Sequence, residues 1–315
     1  MKTWIKLELA VLALAALSQI MASCTDKKST DTEDARKTAQ NSDTKAKKQL
    51  SEAFKSYWYA GEAEITSYQL QQARYGETRD GQAVLIYVTE HFLPEAQVKA
   101  DESHPDNVPV LKLNATKNYL TGIYPYSIMT STFYPVYENR HALKVAFSSQ
   151  EWCGQVYAQL NNREQFEIMS HSYFEGEADQ ELRLEKTILE DEIWNKVRID
   201  PAGLPIGDHK VIPSLEYLRL SHKDLKAYAA NLSLSDSEGI STYEINYPEL
   251  ERILKIDFST EFPHEIQGWS ETANSGFGTN AKQMTSTATK IKTLKTPYWQ
   301  QNGNKDLYLR DSLGL

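Results

Sequence analysis

The sequence predicts a mainly β protein: a large curved antiparallel sheet or open half-barrel with one or two packed helices, after a disordered N-terminal tether. Three observations carry that prediction. From residue 62 onward, runs rich in Val, Ile, Tyr, Phe and Thr recur between turn residues, and such side chains fit pleated, half-buried surfaces. Only one stretch, Glu185–Val197, places apolar residues (Ile188, Leu189, Ile193, Trp194) on one side at helical spacing. In the second half, strand candidates follow one another at about a dozen residues with Gly- or Pro-containing breaks, the pattern of an antiparallel meander.

Taken in order, the chain opens with an address. Residues 1–23 read as a signal peptide: Lys2 and Lys6 precede an apolar run from Leu9, which Ser18 and Gln19 cut too short for a membrane span. The run ends in Met21-Ala22-Ser23-Cys24, which looks like a bacterial lipobox, with Cys24 as the lipidated residue (palmitate among its acyl chains) and mature N-terminus. An ordinary signal peptide with a chance cysteine is the alternative. Residues 24–48 form the lipidated cysteine and linker. Thr25–Lys48 holds no aromatic residue and many charges of both signs, so it reads as a disordered tether reaching roughly 25–30 Å. Thr25 replaces the Asp that retains enteric lipoproteins at the inner membrane, so the expected location is the outer membrane, facing the periplasm or the cell surface.

The body is expected over residues 49–315. A short helix, Lys47–Trp58, leads in. Glu62–Tyr75 and Gln82–Thr89 flank Asp80-Gly81, a hairpin signal, and the continuously apolar Ala83–Val88 marks a central strand. Pro94–Pro109 reads as a long loop. Val110–Leu113, Tyr119–Tyr124, Ile128–Val136, Ala142–Ser148, Gln155–Leu160 and Phe166–Phe174 continue the strands. After the helix, Asp200-Pro201, Gly203, Pro205 and Gly207 read as a hinge near 200–210. Ile212–Leu220, Lys226–Leu234, Ser241–Tyr247, Arg252–Phe258, Glu265–Thr272 and Met284–Thr296 complete the set. Within it Leu254, Ile256 and Phe258 share one face.

From Tyr57 onward the chain resembles an uncharacterised lipoprotein family of Bacteroidetes-type bacteria. The resemblance rests on YWYAGEAEITSY (57–68), QARYGE (72–77), VLKLNATKN (110–118), QEWCG (150–154), MSHSYFE (169–175) and YLRDSLGL (308–315). Members sometimes carry the label septum formation inhibitor Maf. True Maf proteins are cytosolic α/β nucleotide pyrophosphatases with a Ser-Pro-Arg-Arg motif; this chain has no Ser-Pro dipeptide and is β-rich. The resemblance implies an envelope location and supplies no catalytic residues.

Charge and composition narrow the function. The full chain carries −9; removing residues 1–23, with Lys2, Lys6 and Glu8, takes it to −10. That argues against nucleic acid and against adhesion of the body to anionic headgroups, leaving the lipid at Cys24 as the membrane contact. Cys153 is then the remaining cysteine. With His171 on a neighbouring strand it forms the candidate thiol–base pair; the competing reading buries Cys153 beside a core Trp152. The seven histidines show no metal-ligand spacing, and no metal or cofactor is implied. Glu175, Glu177, Asp179 and Glu181 would share one face on a strand, where they could meet a cation, or form a solvated turn. Gly276-Phe277-Gly278 lacks a phosphate-loop pattern and reads as a turn. Lys290 and Lys292 are expected outward, opposite Ile291 and Thr293, pairing with acidic neighbours.

The leading reading is a non-enzymatic envelope lipoprotein that binds an apolar small molecule or a protein partner on a carrier-like concave sheet. One alternative is a periplasmic hydrolase or thiol enzyme using Cys153 and His171; another is an envelope or septum assembly factor.

Overall fold

The alternating runs pair into one curved sixteen-stranded sheet in the computed structural model, which describes residues 49–315 apart from Ser103. Residues 1–48, where the signal, Cys24 and the tether are expected, lie outside the described residues. The first half supplies β1 (Ala63–Arg74), β2 (Glu77–Leu93), β3 (Val98–Lys99), β4 (Val108–Thr121), β5 (Tyr124–Pro135), β6 (Lys144–Glu151), β7 (Gly154–Asn162), β8 (Phe166–His171) and β9 (Gln180–Leu184). The second supplies β10 (Ile188–Leu189), β11 (Gly207–Ile212), β12 (Tyr228–Ser237), β13 (Ile240–Tyr247), β14 (Arg252–Ser259), β15 (Ile266–Ser275) and β16 (Lys282–Thr296). The helices are α1 (Glu52–Trp58), α2 (Glu190–Ile199), α3 (Leu215–Leu220) and α4 (Tyr308–Leu313).

Strands β11–β16 form one antiparallel meander; β1, β2 and β4–β9 form another. Pairing of β16 with β1 joins them, while β3 adds to the end of β2 and β10 runs parallel to β11. The two ends of the sheet, β9 and β10, are separated in sequence by residues 185–187 alone. So short a link spans at most roughly 14 Å, so the sheet must curl until its edges approach each other. It is an open barrel with its seam between β9 and β10.

The inside is filled by helices. Ile193 and Val197 of α2, with Leu215 and Leu218 of α3, pack against inward residues such as Leu85, Leu113, Phe147, Ile256 and Trp269. Phe54 and Trp58 of α1 join the same core. Strand β2 is apolar on both faces because both are covered. Ala83, Leu85 and Tyr87 face this core, whereas Val84, Ile86 and Val88 pack outward with Ile65, Leu294 and Leu313 of α4. The central position expected for Ala83–Val88 is therefore correct.

Several local expectations are corrected. The first hairpin turns at Tyr75-Gly76, where both residues have positive φ (55° and 77°), and not at Asp80-Gly81, which lie inside β2 opposite Gln71 and Leu70. Gly81 serves close packing instead: a Cβ there would stand 2.5 Å from the Asn118 carbonyl oxygen. Val110–Leu113 and most of Tyr119–Tyr124 belong to one strand, β4, which turns at Gly122-Ile123. Ile212–Leu220 splits into the end of β11 and helix α3, because Pro213 breaks the strand and Ser214 caps the helix by accepting the Tyr217 N–H at 3.1 Å. The 200–210 stretch is a linker inside one compact unit, residues 47–315, and not a hinge between two. In β16, Lys290 meets Tyr68 and Lys292 meets Ser67, leaving Ile291 as a bulge residue that is exposed where inward was expected. Lys290 does pair with an acid, Glu265.

At the C-terminal end of α2, Arg198 makes a buried bidentate pair with Glu64 of β1, at 2.5 and 2.7 Å. Both side chains are 1% exposed. Tyr57 donates to the same carboxylate at 2.5 Å, and the guanidinium lies 4.9 Å from the Trp58 ring and 4.7 Å from that of Tyr87. Burial pushes the Glu64 pKa up, but Arg198 outweighs it and holds the carboxyl below its usual range. Glu64→Ala strands a buried guanidinium, so urea denaturation is expected to report a loss of about 3–5 kcal/mol. The isosteric apolar pair Glu64→Leu with Arg198→Met should recover most of it; a loss under about 1 kcal/mol for Glu64→Ala would show that the pair does not hold α2.

Candidate functional site

Between the start of α2, helix α3 and the inner face of the sheet lies a chamber of about 240 Å³. Its position follows from the chain path. Strand β10 rises beside β11, so α2 begins near the end of the barrel where β1 turns into β2, and then descends through the interior. Helix α3 and the segment after it cross that same end as a roof. Lys117 of β4 pairs with Glu216 of α3 at 2.8 Å, and Arg74 Nη1 donates to the Leu220 carbonyl at 2.7 Å. Arg219 and His222 both reach Glu177 in the β8–β9 loop, at 3.3 and 2.6 Å.

The chamber wall is charged. Arg252 of β14 makes a buried bidentate pair with Glu190 of α2, at 2.5 and 2.7 Å, and its Nε donates to Glu271 of β15 at 2.6 Å. Tyr247 donates to Glu190 at 2.7 Å, and the guanidinium lies 4.1 Å from the Tyr217 ring. Burial pushes Glu271 up, but Arg252 and Lys117 bring it below the usual carboxylate range. Burial pulls Lys117 down, and the charges of Glu216 and Glu271 more than reverse that.

Asp191, beside Glu190, is the exception. It is buried, and one hydrogen bond is given to it, from the Leu215 N–H at 3.1 Å. Burial and then the charge of Glu190 raise its pKa from the ordinary 3.8 to about 7; the Leu215 N–H lowers it, Glu216 raises it and Arg252 lowers it by less. Trp194 and Trp269 line the same space with rings at right angles and centroids 5.3 Å apart. The chamber can therefore surround a small molecule with aromatic faces, hydrogen-bonding groups and one carboxyl that titrates near neutral pH.

The candidates expected from sequence lie elsewhere and do not meet. Trp152 is 68% exposed and Cys153 is exposed beside it in the β6–β7 turn, so the buried-cysteine reading is corrected. The cause is local: Glu151 pairs with Gly154, making Trp152-Cys153 the two turn residues. His171 stands opposite Tyr157, three residues along β7 and so roughly 10 Å from that turn, and pairs with Asp179 at 3.1 Å. A hydrogen bond with the Glu151 carboxylate raises the Cys153 pKa, the opposite of nucleophile activation. Glu175, Glu177 and Asp179 occupy a loop and Glu181 lies in β9, so they share no strand face. Among the described residues no cluster of three or more His, Cys, Asp or Glu could hold a metal ion. Gly276-Phe277-Gly278 is a turn, as expected, and its first two residues line the chamber mouth.

Sequence reasoning missed the chamber residues, yet a signal was present. Arg252 has the parity of Leu254, Ile256 and Phe258; Glu271 has that of Trp269, and Lys117 that of Leu113 and Tyr119. A charge in the inward register of an apolar strand face marks a buried polar site. Comparison with family models, curated proteins and solved structures finds no match.

Two outcomes follow. The unfolded chain loses the Asp191 proton near pH 3.8, whereas the folded chain keeps it to about 7. The unfolded state thus binds fewer protons across that window, so this group makes stability fall as pH rises through it and level off above. Asp191→Asn keeps the neutral form at every pH, and its stability relative to the wild type should rise from pH 5 to pH 8 by up to about 2.5 kcal/mol in denaturation curves. A constant difference across pH would refute the assignment. Cys153 should react with a thiol reagent in the folded protein, increasingly so toward alkaline pH, and His171→Ala should leave that rate within about twofold. Fast labelling below pH 6 that depends on His171 would restore the thiol-enzyme reading.

Proposed function

We propose that this chain is an envelope lipoprotein, held in the membrane through Cys24, whose body binds a small polar ligand in the chamber under α3. The observation that carries the binding reading is the chamber itself: a roofed space inside the sheet, lined by Glu190, Asp191, Glu216, Glu271, Lys117 and Arg252. Such a wall disfavours the apolar ligand expected from a carrier-like sheet, because lipid tails would desolvate ionised groups without returning hydrogen bonds. A hydroxyl-, amine- or amide-bearing molecule returns them. The lipobox-like Met21–Cys24 and the run before it support the anchor. The separation of Cys153 from His171 gives the thiol-enzyme alternative no site. Binding is preferred to catalysis because the chamber cations are already engaged by carboxylates.

The test uses the full chain extracted from membranes in mild detergent. Native mass spectrometry is expected to find a small non-covalent adduct that denaturation removes. Ala115→Trp and Ala273→Trp, which fill the chamber from its wall, should abolish the adduct while lowering stability by no more than about 1–3 kcal/mol. Cys24→Ser should end incorporation of labelled palmitate and release the body from membranes. An adduct-free wild type with the same mass before and after denaturation would count against the binding reading, and unlabelled wild type would count against the anchor.

A further inference from the structure

Resting on that binding reading, we propose that the chamber selects a ligand bearing an ammonium group, held against Asp191 beside the Trp194 and Trp269 rings. The interior cations are already engaged. Arg252 spends its donors on Glu190 and Glu271, and Lys117 is paired with Glu216. Two cations thus engage those three carboxylates, with Arg252 shared by Glu190 and Glu271. Asp191 has none: its side chain is buried, lines the chamber, and receives only the Leu215 backbone N–H among the described residues. A buried carboxyl with one donor and no ion-pair partner among the described residues is the part of the wall that the protein leaves incomplete.

The ligand's sign follows. An anion entering the chamber would face Asp191, Glu190, Glu216 and Glu271, with both inner cations already neutralised. A neutral ligand would leave Asp191 without compensation. An ammonium group supplies the missing charge and hydrogen-bond donors or, if quaternary, a cation for the aromatic walls. Among the described residues no Lys or Arg lies over Trp194 or Trp269, which line the chamber packed edge to face, whereas Tyr217 is already covered by Arg252. Two further cations stand at the mouth. Arg74 is turned toward the Leu220 carbonyl and the Tyr126 ring, and Lys223 is exposed. They give the chamber a cationic outer end and a carboxyl-rich inner end, so an acid group trailing the ammonium would also be accommodated.

Calorimetric titration of the detergent-extracted full chain decides this with ethanolamine and choline against their neutral isosteres, ethylene glycol and 3,3-dimethyl-1-butanol. At least one cation is expected to bind more than about tenfold tighter than its isostere, as a desolvated pair between an ammonium group and the Asp191 carboxylate should. Asp191→Asn should bring the two within about twofold, and Ala115→Trp should abolish both. Phosphocholine reads the mouth: binding at least as tight as choline is expected, weakened by Lys223→Ala. Isosteres that bind as well as the amines in the wild type, with Ala115→Trp still blocking them, would overturn the ammonium assignment and leave the chamber reading intact. A full charge preference surviving in Asp191→Asn would overturn the role of Asp191. If no amine binds, the assignment also fails, and the native mass measurement shows separately whether the chamber holds anything.

Discussion

The interior of this barrel is organised by one short helix that is ionically pinned at both ends. At its N-terminus α2 presents Glu190 to Arg252 of β14; at its C-terminus it presents Arg198 to Glu64 of β1. Each pair is bidentate and buried, and each places a side-chain charge where the helix dipole favours it, acid at the start and base at the end. The sheet supplies the complementary charges on opposite sides of the β16–β1 junction. Reversing the helix would bring carboxylate to carboxylate and guanidinium to guanidinium. The pairs therefore specify direction and depth as well as location, a specificity that apolar packing of Ile193 and Val197 alone would not provide.

That pinning matters because the sheet is assembled from distant parts. The junction of its two meanders pairs Ala63 with Thr296, and the seam lies between β9 and β10, which are adjacent in sequence but terminal in the sheet. Each meander is local and can form hairpin by hairpin; closing the junction requires nearly the whole chain to be in place. Helix α2 follows the seam directly and reaches across to β4, where Asn195 donates to the Leu111 carbonyl at 2.8 Å. It thus ties the seam side of the barrel to the far wall. The chamber is the space left at its N-terminal end, where α3 roofs the interior and polar side chains replace apolar ones.

Most of the architecture was legible in the sequence, because strand periodicity depends on residues two apart. The meander, the single longer helix and the central place of Ala83–Val88 all came from such local signals. Errors arose where two local rules competed or where a long-range contact decided. Asp80-Gly81 is a stronger turn signal than Tyr75-Gly76, but Gly81 is required by the close approach of Asn118 from β4, a contact no local pattern reveals. Leu215–Leu220 reads as a continuation of the strand from Ile212, but Pro213-Ser214 stops the strand and starts a helix of good helix formers. The chamber was missed for a different reason. Lys117, Asp191, Glu216, Arg252 and Glu271 come from separate elements, and only the sheet register brings them together. Cys153 stands out in the sequence by residue type alone, and its turn position places it away from every buried group that could activate it.

The first turn of α2 separates what the fold needs from what it tolerates. Glu190, Asp191 and Glu192 are consecutive, so at 3.6 residues per turn they point in three directions. Glu190 takes the Arg252 pair. Glu192 accepts the Ala142 N–H at 2.8 Å and meets His141 and Lys196 at 3.1 and 3.2 Å. Both are saturated by the protein, and removing either would leave buried donors or charges exposed to nothing. Asp191 points toward the chamber with a single backbone donor, and its raised pKa means that near neutral pH its burial opposes folding. Asparagine would accept the same N–H without that cost. The helix start would still have its dipole-matched acids in Glu190 and Glu192. Folding alone therefore gives no reason for a carboxylate at position 191, and in the proposed reading the ammonium group of a bound ligand is what makes its charge favourable.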